Sequence, residues 1–268
     1  MTPRKLAGGK LLLDHPAEAL ARLTISNPEK RNALDHEVLD ALADALPRLD
    51  KGIKIRCVLI TGEGRSFSAG YDIGDFDHDS FEREAEALVA HPFNAAMAAV
   101  SKHPYPIVAA INGHCLGGGL ELAIRCDIRI VAAEARLGMP PGKIGLIYGH
   151  TGLERFIQTI GVARTKELFL LGRNLTAARA EEIGLVHEVV PAEKLERESI
   201  SLAAEIASNA PLASRGNKYV IEKLAQTSLS AADEQELVEL RRSCFQSEDL
   251  REGINAFAES RAPRWTGR

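Results

Sequence analysis

Two short apolar runs, Cys57 to Thr61 and Ile107 to Ile111, constrain this chain more than anything else in it, and Ile128 to Ala132 reads as a third strand beside them. Runs of this length, bounded by turn residues, read as buried strands. Leu20 to Ile25 adds a fourth strand, with apolar and polar residues alternating before the Asn27-Pro28 turn. Segments of helical period lie between them. One runs through Leu34, Val38, Leu39, Leu42 and Leu46 with Asn32 as its N-cap. A second covers residues 82–102 and is closed by His103-Pro104-Tyr105-Pro106. A third begins around Gly118, after the Asn112-Gly113 turn. Strands alternating with helices predict βαβ units and a largely parallel sheet. The pattern then changes: 192–209, 211–226, 231–246 and 248–260 all read as helices with no strand among them. The expectation is an α/β core over 1–191 followed by an all-helical region over 192–268.

Composition removes several classes of function. The chain has 268 residues, long enough to bury one large core. Aromatic residues make up 5% with a single Trp, so the core is aliphatic and rings for stacking on single-stranded bases are scarce. Lys and Arg number 33 against 37 acidic residues, a net charge of −4, whereas neutralising many phosphates calls for a basic chain. No nucleic-acid partner is expected. Cys57, Cys115, Cys126 and Cys244 form no Cys-x-x-Cys pair and no zinc spacing, which predicts no metal site and a reducing compartment. No apolar stretch approaches the ~20 residues that span a bilayer, and the first residues lack a leader pattern. A soluble, cytoplasmic protein with no membrane partner is the expectation.

The chemistry concentrates in Asn112-Gly113-His114-Cys115-Leu116-Gly117-Gly118-Gly119-Leu120-Glu121-Leu122-Ala123. Three consecutive glycines stand between a buried strand and a helix start, where backbone can approach a ligand closely and the first N–H groups have no internal partner. An oxygen bound there meets unpaired donors at the positive end of the helix dipole. Glu121 lies three residues beyond Gly118, on the same helical face. A donor and a carboxylate so related suit stabilisation of an oxyanion and proton transfer on a neighbouring atom. The same residues also suit a plainer role, with the glycines allowing tight helix–strand packing and Glu121 complementing the dipole. A second donor could come from the loop Arg65-Ser66-Phe67-Ser68-Ala69-Gly70-Tyr71-Asp72-Ile73-Gly74, which also follows a strand. Walker-type, Gly-x-Ser-x-Gly and His-Glu-x-x-His motifs are absent.

Phe67-Ser68-Ala69-Gly70-Tyr71-Asp72-Ile73 resembles the Phe-x-Ala-Gly-x-Asp-[Ile/Leu] motif of the crotonase (enoyl-CoA hydratase/isomerase) superfamily. Ile111-Asn112-Gly113 through Glu121-Leu122-Ala123, then Cys126-Asp127, resembles its second signature, and Pro28 to Leu34 its first turn. Leu175-Thr176-Ala177, Gly184-Leu185-Val186 and Glu252 to Phe257 are similar to later landmarks, in order and at family spacing. The resemblance implies an α/β fold of stacked βαβ turns, a ββα spiral, with a helical C-terminal region assembled as homotrimers or hexamers of paired trimers. It implies an acyl-CoA substrate whose thioester enolate is stabilised by the N–H groups of Tyr71 and Gly118, with Glu121 as general acid/base. No cofactor is implied beyond the coenzyme A of the substrate. Arg31, Ala33, Ser68, Ala69, Gly70, Asp72, Ile73, Gly74 and Gly117 would line the CoA path, together with Met139 and Pro141. Phe257 and Arg261 would touch the adenine end.

One departure bears on the reaction. The resemblance leads one to expect a second Glu after Phe-Gly-x-Pro, but this chain reads Leu137-Gly138-Met139-Pro140-Pro141, with Pro141 at that place. Proline exchanges no protons, which counts against ordinary hydration and against isomerases that rely on the second Glu. Seven residues on, Tyr148 is similar to a Tyr of the methylmalonyl-CoA decarboxylase branch, although that branch has Thr where this chain has Pro140. A phenol is a donor at neutral pH and could orient a carboxylate or protonate an enolate. Decarboxylation of a methylmalonyl- or ethylmalonyl-type ester therefore stands as the alternative activity. An RNA-binding homologue would carry a Lys-rich helix, whereas 82–102 offers only Arg83 and Lys102 as basic residues.

Overall fold

A computed structural model describes residues 2–49, 54–72, 89–226 and 230–268. Seven strands form the larger sheet: β1 (Arg4–Leu6), β2 (Leu11–Asp14), β3 (Leu20–Ile25), β4 (Cys57–Gly62), β6 (Ile107–Ile111), β8 (Ile128–Ala132) and β11 (Glu188–Val190), adjacent in that order. β1 to β3 pair antiparallel, and from β3 onward every pairing is parallel. A smaller sheet runs β10 (Leu175–Thr176), β9 (Arg136–Gly138), β7 (His114–Leu116) and β5 (Ser66–Ser68). Each of β4, β6 and β8 therefore hands the chain to a short strand of the second sheet, and successive coils stack. The expected α/β spiral is the fold observed.

The apolar runs explain the two-sided burial. Val58 and Ile60 of β4, Ile107, Ala109 and Ile111 of β6 and Val131 of β8 enter the main core. Their neighbours Cys57, Leu59, Val108, Ala110, Ile130 and Ala132 face the other way, into a second cluster. Strand alternation thus supplies two cores from strands that are apolar on most positions of both faces. The main core is closed by helix α1 (His36–Leu49), which buries Val38, Leu39, Leu42, Ala45 and Leu46 on one stripe. Helices α2 (Asn94–Lys102) and α3 (Gly118–Arg125) complete that face. The remaining helices are α4 (His150–Leu171, kinked at Gly161), α5 (Ala177–Glu182), α6 (Leu195–Ser208), α7 (Pro211–Gln226), α8 (Ala231–Gln246) and α9 (Glu248–Ala258). Leu195, Ala203 and Ala207 of α6 seal the second cluster, so the first helix beyond residue 191 finishes the sheet's other face.

Two expectations change. Asn32 does not cap α1; Asp35 does, accepting from Val38 N–H at 2.9 Å. Asn32 is fully buried with φ 56° and uses its amide elsewhere. The helix expected over 82–102 is α2 alone where it is described, preceded by a wider turn at Val89–Phe93; residues 82–88 lie outside the described residues. No helix among the described residues is long and apolar enough to cross a membrane.

Candidate active site

Two asparagines set the loops of the site. The Asn32 amide donates to the carbonyls of Glu63 (2.9 Å) and Ser66 (2.6 Å), and its oxygen accepts from Asn27 N–H at 2.9 Å. The Asn112 amide donates to Gly64 and Ser66 carbonyls (2.9 and 3.2 Å) and accepts from Gly62 N–H at 3.2 Å. The turn leading into β5 is therefore held from both sides. Beyond β5, Ala69 N–H bonds the Arg31 carbonyl at 3.0 Å and Leu34 N–H bonds that of Gly70 at 2.7 Å. Asp72 N–H returns to the Leu34 carbonyl at 3.3 Å, completing a parallel bridge between Leu34 and Tyr71. In such a bridge the N–H of Tyr71 itself points away from Leu34.

The same loop packs against the region where α3 begins. Gly70 has φ +95°, and a Cβ on it would lie 2.9 Å from the Leu116 carbonyl and 3.0 Å from the Gly118 nitrogen. A Cβ on Gly119 would meet the Ser68 carbonyl at 2.6 Å. Gly117, at φ 52° and ψ −125°, takes a conformation that only glycine holds comfortably. Its carbonyl accepts from Leu120 and Glu121, which places the N–H groups of Gly118 and Gly119 in the unpaired first turn of α3. The Tyr71 ring lies over Gly118, edge-on to Phe93 at 4.6 Å between centroids.

Behind this turn sits Glu121, 2% exposed. Its Oε2 accepts from the Tyr148 hydroxyl at 2.6 Å, and its Oε1 pairs with Arg125 Nη2 at 2.9 Å. Arg125 reaches Glu121 from one helical turn along and also bonds the Thr151 carbonyl at 3.0 Å, tying α3 to α4. Gly152 of α4 makes room for the pair, since a Cβ there would lie 2.5 Å from Glu121 Oε2 and 2.6 Å from Tyr148 Cε1. Tyr148 is 8% exposed; burial, and then the Glu121 charge, push its phenol well above the usual range. Tyr71 is pushed up by the same two causes in the same order. Both phenols are therefore neutral donors at physiological pH.

Residues 16–268 match the family profile described as Enoyl-CoA hydratase/isomerase. The chain belongs to that enoyl-CoA hydratase/isomerase family. It is 38% identical over 248 residues to the protein of Mycobacterium bovis named "Probable enoyl-CoA hydratase echA8", covering 92% of this chain and 94% of that one. It is 32% identical over 248 residues to the 2,3-dehydroadipyl-CoA hydratase of Escherichia coli, covering 92% and 94%. The crystal structure of an enoyl-CoA hydratase from Bacillus anthracis superposes with a TM-score of 0.89 at 33% identity, over 97% of this chain and 100% of that one.

For this family member, the structure brings Glu121, Gly118, Gly117, Tyr71 and Tyr148 together, with Ser68, Ala69 and Gly70 on the adjoining loop. Arg31 is exposed with φ 53°, Ala33 is buried beside it, and Asp72 is bound to Lys30 at 3.0 Å. Met139 is fully buried in the main core with Tyr148, and Pro141 opens a short 3-10 turn over Pro141–Ile144. Ile73 and Gly74 lie outside the described residues. Phe257 of α9 is 89% exposed, and Arg261 forks onto Glu252 at 2.6 and 2.9 Å, with Glu259 at 2.5 Å. Arg125 and Gly152 escaped the sequence reading. The i,i+4 spacing from Glu121 would have pointed to Arg125, whereas only the fold reveals what Gly152 faces.

Proposed function

We propose that the chain binds an acyl-CoA thioester with its carbonyl oxygen between the N–H groups of Tyr71 and Gly118, and hydrates or isomerises an enoyl group through the enolate so stabilised. The observation that carries this reading is the carboxylate of Glu121, buried directly behind the glycine-built start of α3 and held by Tyr148 and Arg125. Helix-start N–H groups stabilise the oxyanion as it develops, without reorganising. Glu121 is the proton-transferring group, and Tyr148 orients it. Arg31, Ala33 and residues 68–72 would border the CoA chain. With Arg261 already paired to two carboxylates, Arg31 is the better-placed cation for the nucleotide end. Glu121→Gln tests the assignment with crotonyl-CoA as substrate. Turnover should fall by about 10²–10⁴-fold, the usual worth of a general acid–base group; undiminished turnover would refute the role.

A second reading is favoured by Pro141, which stands where the resemblance leads one to expect another proton-exchanging carboxylate. Decarboxylation of a methylmalonyl- or ethylmalonyl-type CoA ester needs carbonyl polarisation and a protected carbanion, but no base. Release of carbon dioxide from methylmalonyl-CoA, lost in Tyr148→Phe, would establish it over the first reading. Its absence from the unaltered chain would remove it.

A further inference from the structure

We propose that the Tyr71 ring, braced by Phe93, is the specificity-determining wall of the site, and that it restricts the acyl group to chains unbranched at the α-carbon. The inference rests on the acyl-CoA reading above and adds the class of acyl group. Tyr71 then does two jobs. Its N–H is one proposed donor to the thioester oxygen, and its side chain borders the carbon beside that thioester. The ring crosses to the start of α3. A Cβ built on Gly118 would meet Tyr71 Cε1 at 3.1 Å, Phe93 Cε2 at 3.2 Å and Tyr71 Cδ1 at 3.3 Å. Edges of two rings therefore fill the space above the Gly118 Cα to contact distance. The wall is stiff. Phe93 is 1% exposed and belongs to the main core, and its ring meets Tyr71 edge-on, at 4.6 Å between centroids and 78° between planes. The Tyr71 backbone is held in its bridge to the fully buried Leu34. A ring held by its backbone and by a core neighbour does not swing aside for a larger ligand.

Where the acyl carbons run follows from the proposed donors. A carbonyl oxygen accepting from Gly118 N–H sits about 2.9 Å from that nitrogen. Two further bonds, of about 1.2 and 1.5 Å, lead to the α-carbon, which therefore lies within about 5.5 Å of the Gly118 nitrogen. Glu121 is one helical turn along the same face, and it has to reach this carbon or its β neighbour to move a proton. The α-carbon is thus confined between Gly118 and Glu121, alongside the ring that covers Gly118. The Glu121 charge is felt at the Tyr71 phenol, in keeping with a ring that runs along this stretch. A hydrogen on the α-carbon fits against a ring edge, whereas a methyl group needs the room that the ring occupies. One such group decides a preference of about 10–200-fold in an apolar pocket. The same wall would meet the α-methyl of a methylmalonyl-type ester, which weighs against the second reading above.

Crotonyl-CoA and 2-methylcrotonyl-CoA differ only at that carbon. The unaltered chain should favour crotonyl-CoA in kcat/KM by about 10–200-fold. Tyr71→Ala keeps the backbone N–H and removes the wall, and should narrow that ratio by at least about tenfold. Tyr71→Phe keeps the ring and should keep the ratio. Because Tyr71→Ala also alters the setting of a proposed donor, binding supplies a second measure that needs no turnover. Calorimetric dissociation constants for butyryl-CoA and 2-methylbutyryl-CoA should differ in the same sense, and their ratio should narrow in the same variant. Disturbed folding or donor geometry weakens both members of a pair alike, whereas a lost wall moves the ratio. A ratio near one in the unaltered chain, or a ratio unmoved by Tyr71→Ala in both measures, overturns the wall and leaves the acyl-CoA reading standing. An unaltered chain that turns over neither enoyl ester and binds neither saturated one overturns both.

Discussion

A single missing methyl group defines this site as much as the charged residues do. Gly152 has no Cβ, and one placed there would overlap Glu121 Oε2 at 2.5 Å. Gly152→Ala should therefore displace the carboxylate or Tyr148, and misplacement on this scale costs about 100-fold in rate. Steady-state kinetics with crotonyl-CoA, alongside a thermal melt showing little change, would check it. At this scale the sequence was legible where chemistry has its own residue types. Glu121 and the glycine run stand out from local spacing alone. Arg125 and Gly152 do not, because their importance comes from α4 lying against α3, a contact between segments far apart in the chain. Arg31 gives a second prediction: Arg31→Ala should raise KM for an acyl-CoA about three- to tenfold and leave kcat unchanged, as expected for loss of an exposed charge that binds substrate and transition state equally. Titration kinetics on crotonyl-CoA would show it, and an unchanged KM would count against Arg31.

Elements were read more accurately than their junctions. The four strands in the first half and the four helices after residue 192 sit within a few residues of their expected bounds, because long runs of one pattern leave little choice. The short strands β5, β7 and β9 were missed. At three residues each they carry no periodicity, and they exist because the stacked coils pair them. Asn32 was misread for a related reason. Its short polar side chain suits an N-cap and a left-handed loop equally, and the choice falls to the carbonyls of Glu63 and Ser66, the second of them buried, that accept from it. Removing that donor should be costly. Asn32→Ala takes the partner from the Glu63 carbonyl and the Asn27 N–H, while Ser66 keeps Asn112, and should destabilise the fold by about 1–3 kcal/mol per unmet group. Urea unfolding would measure the loss. The loop carrying Tyr71 depends on the same clip, so KM for an acyl-CoA should rise as well.

For the molecule as a whole, pH enters through a residue remote from catalysis. His103 is buried after α2, and burial, then the charges of Lys218 and Arg215, push its imidazole down to about 4. The unfolded chain takes up that proton below about pH 6.5. Since the folded pKa lies below the unfolded one, this contribution to stability is complete above pH 6.5 and is lost as pH falls towards 4. At about 1.4 kcal/mol per unit the loss reaches about 3 kcal/mol. Urea midpoints between pH 7 and 4.5 should fall more steeply for the natural chain than for His103→Leu. Assembly is a second property of this scale. Ile147, Leu170 and Phe257 project from the described surface, Ile147 at 93% exposure, and we expect trimers or paired trimers that cover such residues. Light scattering giving three or six chain masses would agree, and a monomer at micromolar concentration would not. The stacked coils carry a final consequence. β5 and β7 are neighbouring parallel strands, and each leads at once into the turn that bears one proposed donor, Tyr71 or Gly118. Strand spacing, about 4.8 Å, is fixed by backbone hydrogen bonding and owes nothing to side chains. The gap between the two donors is thus a gauge cut into the sheet. Residues around it can change while the spacing of the two proposed donors keeps its width. Substitution in such a frame alters what is done to the held molecule far more readily than whether it is held.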